Sequence, residues 1–168
     1  MSIEVEETII EVEGLKNDTL IKVFVELGKI KGDSRLLILV TNGFLELLVN
    51  NLIDTKCKNA KRITSNHRDY PYSAKLLLLN EIEVLPDDVY QVLDWLRKLR
   101  NRAAHEPLFD VTKSDLTHLK NQNWHDPSKL YNFCVALIGS LWNEHLDVFV
   151  PVFAPSLAGK AEEILKST

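Results

Sequence analysis

The stretch "SRLLILVTNGFLELLVNNLI", residues 34–53, decides the fold, because it is apolar on nearly every side of a helix. Its β-branched residues would also suit a strand, but its length favours a helix. A helix of this kind is buried, so we expect it at the centre of the core. Asn42, Glu46 and Asn50 are spaced by four and form one polar stripe along it. This stripe is either the solvent face of the helix or the wall of a cleft or subunit interface, where Glu46 would pair with Arg100.

Helical periodicity continues on both sides of this segment. It predicts further helices over residues 15–30, 73–82, 86–105 and 124–149, and a brief one over 112–120. Asp126 and Pro127 suit the N-cap and the first position of the last of the long helices. The chain is therefore predicted to be all-α, a four- to five-helix up-down bundle with short extra helices. We assign residues 1–14 to an acidic N-terminal segment, 15–150 to the helical domain and 151–168 to a C-terminal tail.

Composition and the N-terminal sequence indicate where in the cell the protein is expected. The 168 residues predict one domain, and 45% hydrophobic with 26% charged residues is typical of a soluble protein. No apolar run approaches the roughly 18 residues that a membrane span needs. The start, "MSIEVEETIIEVE", is acidic and lacks the basic region of a signal peptide. We therefore expect a cytoplasmic protein without a membrane partner.

Metal and cofactor motifs are not found in the sequence. The histidines outside residue 105 show no ligand spacing with each other or with cysteines, and phosphate-binding glycine loops are absent. These histidines are His67, His118, His125 and His145. We expect no metal and no cofactor.

The charge is unevenly distributed. A net charge of −4 argues against a protein whose function is nonspecific DNA binding. Yet residues 56–68 carry five Lys or Arg and no acid, and four more lie within 97–102. These segments are either a solvated loop and helix end or a surface that tracks RNA backbone. The candidate RNA contacts are Lys58, Lys61, Arg62, Arg97 and Arg102.

The end of the helix predicted over 86–105 carries the residues best suited to chemistry. Arg100 falls within the apolar stripe, near Leu93 and Leu96, where a charge needs a partner. His105 would sit about 140° away from Arg100 on an undistorted helix. The two side chains can converge only if the helix ends or bends before His105, or if a second subunit supplies the missing half.

The six residues "RNRAAH", Arg100 to His105, match a pattern of Arg, a polar residue, three further residues and His. This pattern resembles the signature of the HEPN superfamily, helical-bundle domains of nucleotide- and RNA-related toxins and defence proteins. The flanking "SAKLLLLNEIEVLPDDVYQVLDWLRKLRNRAAHEPLFDVT" and the helix over 34–53 resemble the mannitol operon repressor-like branch. The resemblance covers roughly residues 34–112.

The resemblance implies a homodimer in which two Arg/His motifs face one another, and active members are metal-independent ribonucleases. His105 would act as general base or acid and Arg100 would stabilise charge on the phosphate. Asn101 would orient His105 or the phosphate, with Glu46 and Asn42 in support. RNA and a cognate antitoxin or regulatory protein are the implied partners.

The same resemblance leaves a second function open, a non-catalytic dimeric module for transcription regulation or protein interaction. In that case Arg100 pairs with a carboxylate across the dimer and His105 closes the helix end through hydrogen bonds. The acidic charge balance favours this alternative.

Overall fold

The computed structural model describes residues 19–155, so the predicted N-terminal acidic segment, residues 15–18 and most of the predicted tail lie outside it. The described part is helical and contains no strand, which confirms the all-α prediction with short extra helices. The α-helices are α1 (Thr19–Lys29), α2 (Ser34–Lys56), α3 (Ala60–Thr64), α4 (Tyr72–Glu81), α5 (Asp87–His105), α6 (Lys113–Leu116), α7 (Leu130–Glu144) and α8 (Leu146–Phe153). Two 3₁₀ turns, Gln122–Trp124 and Pro127–Lys129, lie between α6 and α7.

Helix α2 is the centre of the core, as its apolar sequence predicts. Asp33 begins it by accepting a hydrogen bond from the Leu36 amide at 2.9 Å, a normal N-cap. Helices α1, α3, α4, α5, α7 and α8 all pack against it. Leu45, Leu48 and Leu52 are completely buried among them.

Helix α2 also has the length and mean hydropathy of a membrane-spanning helix, although polar residues interrupt its sequence. In this structure ten of its residues are buried under the surrounding helices, whereas Leu36 and Leu47 are exposed. Such packing is what the core helix of a soluble domain shows.

A tight turn sets α4 beside α5. Glu83 takes a left-handed backbone conformation, φ 59°, which lets the amides of Val84 and Leu85 donate back to the Leu79 carbonyl. The Asn80 amide group then donates to the Leu85 carbonyl and to the Asp87 carboxylate, at 2.9 Å each. After this turn α4 and α5 pack against each other, and the N-terminus of α4 lies near the C-terminal half of α5.

The prediction of a single helix over residues 124–149 is wrong. Asp126 and Pro127 do start a helical segment, with the Asp126 carboxylate accepting from the Ser128 amide, but the first turn is 3₁₀. The helix then breaks at His145, and α8 leaves at 109° to α7. This bend turns Phe149 back onto Trp142, with ring centroids 5.5 Å apart, and buries it completely.

Three shorter helices also differ from the prediction in their presence or their bounds. Helix α3 lies in the basic segment that the sequence analysis treated as a loop, and α8 continues past residue 150, where the tail was predicted to begin. Of the helix predicted over 112–120, only the four-residue α6 forms. It begins with a capping box between Thr112 and Asp115.

Candidate functional site

A polar cleft of about 250 Å³ lies between α2, the N-terminus of α4 and the C-terminal half of α5. We call it the polar cleft. It brings together four residues that the sequence analysis proposed for the site or its support, and one proposed RNA contact. Its lining is Asn42, Glu46, Pro71, Tyr72, Ser73, Arg97, Arg100 and Asn101.

The polar stripe of α2 is not a solvent face. Asn42 is 2% exposed and Glu46 is half-buried, and both line the cleft. One turn further on, Asn50 accepts a hydrogen bond from the Lys75 ammonium at 2.9 Å. Since the Lys75 side chain is fully buried, the stripe serves as the polar contact between α2 and α4.

The two arginines of the cleft differ in their partners. Arg97 is held by Asp94, whose Oδ1 accepts from both Nε and Nη2, at 2.9 and 2.8 Å. Arg100 makes one weak contact, from Nη1 to the Asn101 side-chain oxygen at 3.3 Å. Within residues 19–155 no ion pair joins Arg100 to Glu46 or to another carboxylate, so the expected pairing does not form inside one chain. The Arg100 guanidinium is therefore open to an anion that enters the cleft.

Two buried polar atoms at the wall of the cleft have no hydrogen-bond partner among the described residues, the Asn42 side-chain oxygen and the Tyr72 hydroxyl. Burial and the negative charge of Glu46 raise the pKa of Tyr72 well above its usual range, although Arg97 opposes this. The phenol is thus a hydrogen-bond donor at neutral pH. Buried groups without partners are rare in folded proteins, and both of these residues line the cleft.

His105 does not line this cleft. Helix α5 continues to His105, and the Glu106 amide still donates to the Arg102 carbonyl at 2.8 Å, so no bend precedes the histidine. The ring is exposed and makes no hydrogen bond with a described residue. Of the two ways in which Arg100 and His105 could converge, a distorted helix end is absent, and a second subunit remains.

Arg35 of α2 closes the end of α5 in place of His105. Its Nη1 donates to the Ala103 carbonyl at 3.0 Å, and its Nη2 donates to the carbonyls of Glu106 and Pro107 at 2.7 and 3.0 Å. The guanidinium also lies 5.8 Å from the ring centre of Phe109. A cation at a helix C-terminus is favourable for the helix dipole as well.

The proposed RNA contacts divide into two groups. Lys58, Lys61 and Arg62 are exposed on and beside α3 and make no ion pair with a described residue. Arg102, by contrast, pairs with Glu106 at 3.0 Å and with Asp115. Its role is to tie the loop after α5 to the helix.

A metal centre is not built into the described part of the chain. No three His, Cys, Asp or Glu side chains between residues 19 and 155 lie close enough together to hold an ion. The chemistry available at the cleft is therefore that of guanidinium, amide, phenol and carboxylate groups.

Comparisons with protein-family models, with curated proteins and with solved structures find no match to this chain. The residues of the cleft that were not predicted from the sequence are Pro71, Tyr72 and Ser73. The signal was present in "YPYS", because a proline just before a helix marks an N-terminus with free amides. Which elements face that N-terminus is a matter of tertiary packing and could not be read from the sequence.

Proposed function

We propose that this protein is a HEPN-like domain that cleaves RNA without a metal, as a homodimer, and that it works in the cytoplasm. The observation that carries the proposal is the state of the three motif side chains. Arg100 and Asn101 line an open polar cleft, no carboxylate of the described chain pairs with Arg100, and the His105 ring is exposed. Within the described chain, Arg100 is not held by a carboxylate and His105 does not cap the helix, and both facts support the proposal.

The chemistry fits these residue types. In RNA cleavage the 2′-oxygen loses its proton and attacks the adjacent phosphate, and the 5′-oxygen leaves with a proton. A histidine takes the first proton, and a second histidine delivers the other. The Arg100 guanidinium offers two parallel donors to the phosphate oxygens, where negative charge grows in the transition state. Asn101, next to Arg100, orients the guanidinium through its side-chain oxygen.

The straight helix and the number of histidines support a dimer. One chain supplies a single His105, and that ring lies away from its own Arg100 cleft. Two chains that place their motifs face to face supply both a base and an acid. The exposed Lys58, Lys61 and Arg62 would add sequence-independent contacts to RNA phosphates. A cognate antitoxin or regulatory protein would control such an activity.

The experiment is cleavage of a single-stranded RNA by the purified chain in EDTA. We expect wild-type protein to cut, and Arg100→Ala and His105→Ala to lose at least about a hundredfold in rate while keeping the wild-type fold by circular dichroism. His118→Ala is the matched control, since this histidine is also exposed but lies outside the motif. An inactive wild-type protein, or a His105→Ala variant that cuts normally, would contradict the proposal.

A second candidate function is the non-catalytic dimeric regulatory module. The observation in its favour is that carboxylates hold Arg97 and Arg102, which weakens the RNA-binding surface. In this case Arg100→Ala weakens the dimer in sedimentation experiments, and no RNA is cut. A dimer that is unchanged by Arg100→Ala would count against it.

A further inference from the structure

We propose that the polar cleft binds a guanine nucleotide of the RNA, next to the phosphate that is cut. This inference rests on the proposed ribonuclease function, and it goes further by naming the base that the site selects. The polar groups of the cleft divide into a set that suits an anion and a set that suits hydrogen-bond donors, and a guanine nucleotide offers both.

The anion side consists of Arg100 and the N-terminus of α4. Helix α4 begins after Pro71, and no side chain of the described residues caps it. The amides of Ala74 and Lys75 donate to the Pro71 carbonyl, whereas those of Tyr72 and Ser73, which line the cleft, donate to no described residue. Such a helix end attracts phosphate through these amides and the helix dipole. Arg100 adds a guanidinium that no carboxylate within residues 19–155 pairs with. Both groups point to a phosphate as the anionic part of the ligand.

The acceptor side consists of Glu46 and Asn42 on α2. The Glu46 carboxylate lines the cleft without an ion pair to a described residue, and the Asn42 oxygen beside it is buried and has no partner. A carboxylate accepts two parallel hydrogen bonds. Guanine is the RNA base whose Watson–Crick edge presents two neighbouring donors, N1–H and the N2 amino group. Adenine and cytosine each present one amino group there, and uracil presents one ring N–H.

The size of the cleft suits the phosphate and the base edge of one nucleotide, with the rest of the RNA outside it. Its volume of about 250 Å³ is smaller than the pockets that hold drug-sized ligands. Single-stranded RNA is commonly recognised in this way, by hydrogen bonds to the edge of one unstacked base.

The test is calorimetric binding of GMP and IMP to the full chain in EDTA. These nucleotides differ only in the N2 amino group, which we place on Glu46. We expect GMP to bind at least about tenfold more tightly than IMP or AMP, because a lost hydrogen bond leaves a charged acceptor unpaired. Glu46→Gln, which exchanges one acceptor oxygen for a donor, should reduce that ratio to near one. Glu81→Gln is the matched control, since Glu81 is exposed on α4 and outside the cleft.

The outcomes separate the two proposals. Equal binding of GMP, IMP and AMP, no binding of any of them, or an unchanged GMP preference in Glu46→Gln would overturn the guanine site. The ribonuclease proposal would survive that result if wild-type protein still cuts RNA, at positions without a guanine preference. Selective GMP binding by a protein that never cuts RNA would keep the guanine site and overturn the ribonuclease.

Discussion

Arg100 and His105 lie five residues apart on one unbroken helix, yet only Arg100 lines the polar cleft. The regular helix turns the histidine to another side of α5, and the guanidinium of Arg35 holds the helix end in that geometry. A single chain therefore does not bring the two side chains of the motif together. If the motif is catalytic, its site has to be shared between two subunits.

Replacing Arg35 tests how firmly the end of α5 is held. Arg35→Ala removes three hydrogen bonds to backbone carbonyls, so we expect it to lower the free energy of unfolding by about 2–3 kcal/mol. Urea denaturation followed by circular dichroism measures the loss. Arg68→Ala, at an exposed arginine without a contact to a described residue, should change it by less than about 0.5 kcal/mol. Equal stability of the two variants would rule out Arg35 as the cap of α5.

The contact between Asn50 and Lys75 offers a second test, on neighbouring asparagines of α2. Asn50→Ala leaves the buried Lys75 ammonium without its acceptor, and we expect a loss of about 1.5–3 kcal/mol in unfolding free energy. Asn51→Ala is the matched control, because the Asn51 side-chain oxygen is buried without a partner. We expect Asn51→Ala to lower the unfolding free energy clearly less than Asn50→Ala does. Thermal denaturation of the two variants measures the difference. An Asn51 variant that is the less stable of the two would show that the polar stripe does not join α2 to α4.

Acid sensitivity tests the attachment of the loop after α5. Burial by itself would raise the pKa of Asp115, but hydrogen bonds from Thr112 and Arg102 outweigh it and lower the pKa below the ordinary value of 3.8. A carboxyl whose pKa is lower in the folded state stabilises the fold above its unfolded pKa, and this contribution is lost as the pH falls through the folded pKa. We therefore expect Asp115→Asn to be less stable than wild type at pH 6, with the difference shrinking below pH 3.8.

The measurement for Asp115 is the unfolding free energy of both proteins between pH 2 and pH 7. Asp94, Asp110 and Asp126 also have lowered pKa values, so the variant keeps part of the acid sensitivity. A constant difference between the two proteins over the whole range would contradict the assigned role of Asp115.

Much of the fold follows from local sequence. The all-round apolar pattern of residues 34–53 predicts the central helix, and Asp87 and Asp88 at the start of α5 and Asp33 before α2 occupy favourable N-terminal positions. The spacing of Asn42, Glu46 and Asn50 showed that they share a face but left open what that face meets. The structure shows that Asn42 and Glu46 line the polar cleft and that Asn50 contacts Lys75 of α4.

The parts that sequence analysis missed depend on contacts between distant segments. Arg35 donates to the carbonyl of Ala103, 68 residues further along the chain, so no local pattern indicates its role. The break at His145 is not marked by glycine or proline at that position. It accompanies the packing of Phe149 on Trp142, which only the tertiary structure reveals.

The most direct test of a shared site is the activity of mixed dimers. Wild-type chains are mixed with a rising share of His105→Ala chains under conditions that exchange subunits, and the rate of RNA cleavage is measured at constant total protein. If both His105 side chains act in one site, only dimers of two wild-type chains cut, so the rate falls with the square of the wild-type fraction. At equal mixing it reaches about one quarter of the starting rate, as expected for random pairing in a twofold dimer. A rate that falls in direct proportion, to about one half, would contradict a site that needs both histidines.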